Sequence, residues 1–86
     1  NGGFIVKPKA APYNGTVMTD TIENSVQSLR TQAKVTQEQL ADAVGVTRQT
    51  IIAIEKGSYI PSLLLALNIA KYFHKPVESI FEVCKK

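Results

Sequence analysis

Apolar residues return every three or four positions along most of this chain, and glycine or proline separates one run from the next. Ile22, Val26, Leu29 and Ala33 make the first stripe, on a helix expected to begin at Asp20 with Glu23 at its third position. A second helix is predicted over 37–44, because the Thr36 hydroxyl can accept from the backbone N–H of Gln39 while the Gln39 side chain reaches back, the reciprocal pattern of a capping box. Gly45 stands where a finished helix needs positive φ at little steric cost. Thr47 is a further N-cap, for a third helix over 48–56 that Gly57 stops. Ser62 caps a fourth over 63–74, and after Pro76 the residues Val77, Ile80 and Phe81 predict a short fifth. The expected fold class is all-α with five helices, and the alternating residues Phe81–Cys84 read as either a frayed end or a short strand.

Two short helices joined across a glycine at this spacing make a helix-turn-helix, the arrangement that lays its second helix in the major groove of DNA. A step of about 100° per residue turns Val46, Thr50, Ile51 and Ile54 towards a core and leaves Arg48, Gln49, Ile52 and Ala53 on the opposite side. The outward face leads with Arg48 and Gln49. Arginine can bond guanine bidentately and glutamine adenine, each contact worth about 1–3 kcal/mol of discrimination. Arg48, Gln49, Ile52 and Ala53 are therefore the candidate base-reading residues, with Ile52 suited to a thymine methyl.

The helix over 63–74, LLLALNIAKYFH, is apolar around most of its circumference. Leu63, Ala66, Leu67, Ala70 and Phe73 can serve one core-facing side, which leaves Leu64, Leu65 and Ile69 for a second subunit to cover.

These motifs together (LR in the first helix, TQEQLA, GVTRQTI, IEKG and PSLLLALNIA) resemble the Xre family of helix-turn-helix repressors, of the Cro and lambda-repressor type, over about residues 22–81. The resemblance implies a five-helix lambda-repressor-like domain that binds double-stranded DNA as a homodimer. It implies that Gln37 bonds a backbone phosphate and braces the residue at position 48, and that Lys56, Ser58 and Tyr59 make phosphate contacts that set register without reading sequence. Lys34, Thr36, Thr47 and Thr50 are candidates of the same kind. It also implies that Arg30 pairs with Glu55, tying the first helix to the third, and that a terminal strand takes part in the dimer. Phe81 and Val83 join Leu64, Leu65 and Ile69 as the expected dimer interface. Ile52 departs from the family, which more often has a small or polar residue there.

Composition narrows the choice further. A chain of 86 residues is short for more than one core, and a core this small is marginal unless a partner subunit adds to it. The net charge of +3 suits a polyanionic partner, and Lys34, Arg48 and Lys56 flank the expected reading surface. A single cysteine, Cys84, cannot form an internal disulfide, and no apolar run of about 18 residues points to a membrane span, so a cytoplasmic protein is expected. His74 and Cys84 fall short of the usual four metal ligands. No nucleophile–base pairing or phosphate-cradling glycine loop suggests an enzyme, and no cofactor, metal or small-molecule ligand is implied. Residues 1–17 stand apart from the domain at 18–86: they read either as vector-derived sequence ahead of a start at Met18 or as an arm that pairs with a partner strand. The function expected is a sequence-specific repressor. An antitoxin-like regulator, or an interaction adaptor whose main partner is another protein, is the alternative.

Overall fold

The computed structural model describes residues 21–84, so the expectations placed on residues 1–20, on Lys85 and on Lys86 lie outside the described residues. The elements follow as β1 (Thr21–Asn24), α1 (Val26–Gln32), α2 (Gln37–Val44), α3 (Arg48–Lys56), α4 (Leu63–Phe73), one 3-10 turn (Val77–Ser79) and β2 (Phe81–Cys84). There are four α-helices among the described residues, not five. The segment after Pro76 closes a single 3-10 turn, with the Ser79 and Ile80 amides bonded to Pro76 and Val77, and then extends.

The caps explain the helix boundaries. Thr36 and Gln39 form the full capping box, Gln39 N donating to Thr36 Oγ1 at 3.0 Å and Thr36 N to Gln39 Oε1 at 2.8 Å. Thr47 accepts from Thr50 N at 3.3 Å and Ser62 from Leu65 N at 3.2 Å. Gly45 ends α2 at φ 79° and Gly57 ends α3 at φ 82°, the left-handed region that glycine enters without a Cβ penalty. His74, expected as the last helical residue, is itself the left-handed cap of α4 at φ 57°.

The first helix is the main correction. It begins at Val26, and the residues before it form a strand. Asn24 accepts from Val26 N with Oδ1 at 3.1 Å and donates with Nδ2 to the Ile54 carbonyl at 3.0 Å, so its amide starts α1 and anchors it to the end of α3. Thr21 and Ile22 have the β-branched shape that a pleated surface favours. They pair antiparallel with β2 in the register Thr21↔Cys84, Ile22↔Val83, Glu23↔Glu82 and Asn24↔Phe81. The expected strand thus exists, and its partner is β1 of the same chain.

The core gathers one face of each α-helix together with Ile80. Val26, Leu40, Ile51, Ile54, Ile69 and Ile80 are each at most 1% exposed, with Ala41, Leu65, Ala66 and Ala70 beside them. This also revises the face of α4. Leu65 (7% exposed) and Ile69 (0%) lie inside this core and are not left for a second subunit, whereas Leu63 (72%) and Leu67 (46%) face outward with Leu64 (70%). A helix apolar on all sides has too little contrast for its sequence to say which side the core takes. Phe81 packs against the core, whereas Val83, two positions on and so on the same face of β2, is 60% exposed.

Candidate nucleic-acid interface

The helix-turn-helix places α2 and α3 either side of Gly45, with Arg48 and Gln49 exposed in the first turn of α3. Ile52 and Ala53, one turn on, are half-buried. They follow Arg48 and Gln49 at the four-residue spacing that keeps side chains on one helix face. On the other face Ile51 and Ile54 are wholly buried, so α3 cannot rotate without exposing its anchors.

An open hollow of about 660 Å³ lies where the starts of α2 and α3 approach, lined by Arg30, Thr31, Lys34, Val35, Thr36, Gln37, Glu38 and Arg48. Three cations and one acid line it. The candidate phosphate contacts do not all gather there. Thr50 and Tyr59 line a second hollow beside Gly45, Ser62 and Leu64. Lys56 is exposed at the last turn of α3. Ser58 spends its hydroxyl and its amide on the Ala53 carbonyl, at 3.3 and 3.0 Å, and so caps the helix that a phosphate would have to compete with. Thr47 and Thr50 share a hydroxyl hydrogen bond of 3.1 Å, which leaves that pair one proton to offer outward.

Beneath the first hollow a partly buried network fixes how the helices sit. Arg30 donates from Nε to Glu55 Oε2 at 2.6 Å and from Nη2 to Glu55 Oε1 at 3.2 Å, and its Nη1 donates to the Val35 carbonyl at 2.9 Å. One guanidinium therefore joins α1, the turn before α2, and α3. The two side chains are 11% and 4% exposed. Hydrogen bonding to Glu55 raises the guanidinium pKa above its already high ordinary value; burial opposes this and the attraction of the Glu55 charge adds to it.

Gln37 joins the same network, its Nε2 donating to Glu55 Oε1 at 3.0 Å. The resemblance had Gln37 bracing the residue at position 48; among the described residues the side chain it bonds is Glu55. Sequence reasoning missed this bond and the Asn24 link to Ile54. Both join residues far apart in sequence, and neither leaves a spacing signal. No group of acids, histidines and cysteines among the described residues could hold a metal ion.

A helix-turn-helix family profile matches residues 26–80. The chain belongs to this family and is of its Xre type. Among relatives, the uncharacterized HTH-type transcriptional regulator YgzD of Bacillus subtilis is 53% identical over 60 residues, covering 70% of this chain and 91% of the relative. The cryptic phage CTXphi transcriptional repressor RstR of Vibrio cholerae is 30% identical over 57 residues, covering 66% of this chain and 51% of RstR. Among solved structures, the restriction-modification controller protein C.AhdI of Aeromonas hydrophila matches at a TM-score of 0.58 and 28% identity, over 62% of this chain and 80% of its own. The transcriptional regulator VanUg shares the fold at a TM-score of 0.66 and 21% identity, over 81% of this chain and 93% of its own. No helix of the described residues is long and apolar enough to cross a membrane.

Proposed function

We propose that this Xre-type chain is a sequence-specific DNA-binding repressor that reads its site with α3. The observation that carries the reading is the exposed Arg48–Gln49 pair at the start of a helix whose other face is locked by Ile51 and Ile54. Arg48 and Gln49 contact base edges, Ile52 and Ala53 meet apolar base surface, and Lys34, Thr36, Gln37, Thr47, Thr50, Lys56, Ser58 and Tyr59 hold the phosphates. RstR is named a transcriptional repressor, which supports the repressor reading; repression on this reading is by occupancy of promoter DNA.

The repressor acts as a homodimer on a near-palindromic operator, with half-sites about 34 Å apart on one face of the duplex. Exposed Leu64 and Val83, with half-buried Phe81, form the part of the expected interface that a second copy can reach. Leu63, Leu67 and Ile60 (63% exposed) extend the apolar surface, and on a domain this small so much exposed apolar area is a reason to expect a partner.

Selection of bound duplexes from a randomised DNA pool tests this. An enriched inverted repeat with half-sites one turn apart is the expected result. Salt-sensitive binding to every sequence, with no enrichment, would remove Arg48 and Gln49 from a reading role. It would also favour the antitoxin-like or adaptor reading, which the exposed apolar surface of α4 equally serves.

A further inference from the structure

The partly buried ion pair of Arg30 and Glu55 reaches the proposed DNA-facing surface through a single amide. Glu55 is 4% exposed in its side chain and its carboxylate can only accept, so the Gln37 group bonded to it at 3.0 Å must be the nitrogen. Arg30 occupies both carboxylate oxygens as well, and that guanidinium has no acceptor to offer in exchange. The amide polarity of Gln37 is thereby set by chemistry. Its Oε1 has no hydrogen-bond partner among the described residues, and Gln37 lines the hollow at whose edge Arg48 stands.

We infer that Glu55 is a positioning residue for DNA recognition, holding the Gln37 amide nitrogen inward so that Oε1 is presented as an acceptor to the guanidinium of Arg48 when that side chain engages a base. This rests on the DNA-reading function proposed above. An acceptor there restricts the Arg48 fork at its stem side and leaves its outer N–H groups for guanine O6 and N7. The pair of Arg30 and Glu55 thus has two tasks, holding α1 to α3 and turning Gln37 Oε1 towards Arg48, with the second N–H of Nε2 left for a phosphate.

The isosteric change Glu55→Gln separates them. Its new amide has one acceptor oxygen; set opposite Arg30 Nε, the shorter of the two wild-type bonds at 2.6 Å against 3.2 Å, it leaves the amide nitrogen at the position that faces Gln37 Nε2, donor to donor, and the Gln37 amide inverts to accept from it. Operator affinity, measured on a duplex from the pool selection and well below the lowest melting temperature of the set, is compared for wild type, Glu55→Gln, Gln37→Ala and the double variant. Glu55→Gln is expected to weaken operator binding about tenfold in the Gln37 background. In the Gln37→Ala background it is expected to change binding less than about twofold, a coupling that a purely structural Glu55 would not produce. Equal losses in both backgrounds overturn the inference and leave DNA reading intact. A wild-type chain that enriches no duplex overturns the DNA reading, and the inference with it.

A second readout needs neither DNA nor a variant. Nitrogen relaxation of the Gln37 side-chain amide should show it as rigid as the backbone of α2. A freely averaging Gln37 amide in the wild-type protein overturns the inference even if Glu55→Gln does not fold.

Discussion

Replacing Arg30 by alanine should cost this domain a large part of its stability, and the structure indicates how much. The Glu55 carboxylate, 4% exposed in its side chain, accepts from Arg30 Nε, Arg30 Nη2 and Gln37 Nε2. Removing one member of a buried pair leaves the other charge uncompensated, at about 3–5 kcal/mol. Here Glu55 keeps the Gln37 bond, and the gap left by a long side chain at the 11% exposed Arg30 position admits water, which brings the expected loss to about 2–4 kcal/mol. That range includes about 1 kcal/mol for the Val35 carbonyl, which loses its donor. A domain of this size is stable by only roughly 3–10 kcal/mol in all. The melting temperature of Arg30→Ala should therefore fall by on the order of 10–30 °C, at about 4–8 °C per kcal/mol. Circular dichroism melts, with urea midpoints at constant slope, measure it. The double variant Arg30→Met/Glu55→Leu should recover most of the loss, because it buries no lone charge. A loss below about 1 kcal/mol for Arg30→Ala would class the pair with exposed ion pairs and refute the reasoning.

Three further outcomes are expected. Arg48→Ala should weaken operator binding by about 1–3 kcal/mol and relax preference at one base pair, while Lys56→Ala weakens all sequences alike; equal losses for Arg48→Ala on operator and random DNA, in a salt titration of both, would remove its reading role. Gly45→Ala should destabilise by about 1–2 kcal/mol through its φ of 79° alone, since an added Cβ meets nothing within 4 Å, and an unchanged urea midpoint would contradict the strain. Glu82→Lys turns the like-charged cross-strand pair with Glu23 into an attractive one and should stabilise by about 0.5–1 kcal/mol; a melt that does not rise would show that the pair is already screened.

How much of this was legible in the sequence depended on range. Helices α2 and α3 were readable to the residue, because their caps are local: Thr36 with Gln39, Thr47 with Thr50, and two glycines at positive φ. The strand β1 was not, because its partner lies 63 residues away and Ile22 also fits the helical stripe through Val26 and Leu29. A strand of four residues carries too short a pattern to win against a seven-residue helix extended backwards. Leu65 and Ile69 were assigned to the wrong side of α4 for a different reason, since leucines surround it and only the packed core shows which face is taken. At the interface, the exposure of Arg48 and Gln49 followed from helical spacing. The Arg30–Glu55 pair entered through family resemblance, and the Gln37–Glu55 bond, which neither route supplied, is visible only once the helices are packed.

The pairing of Thr21 with Cys84 brings the two ends of the described domain to within one strand spacing, about 5 Å between Cα atoms. Because the strands are antiparallel, a two-residue hairpin such as Asn-Gly could join position 84 to position 21 without bending either. The domain can thus be closed into a ring and reopened in the exposed loop between Tyr59 and Ile60, giving a circularly permuted chain with α3 and its caps unbroken. Proteins fused before position 21 and after position 84 would leave from the same corner of the fold, side by side.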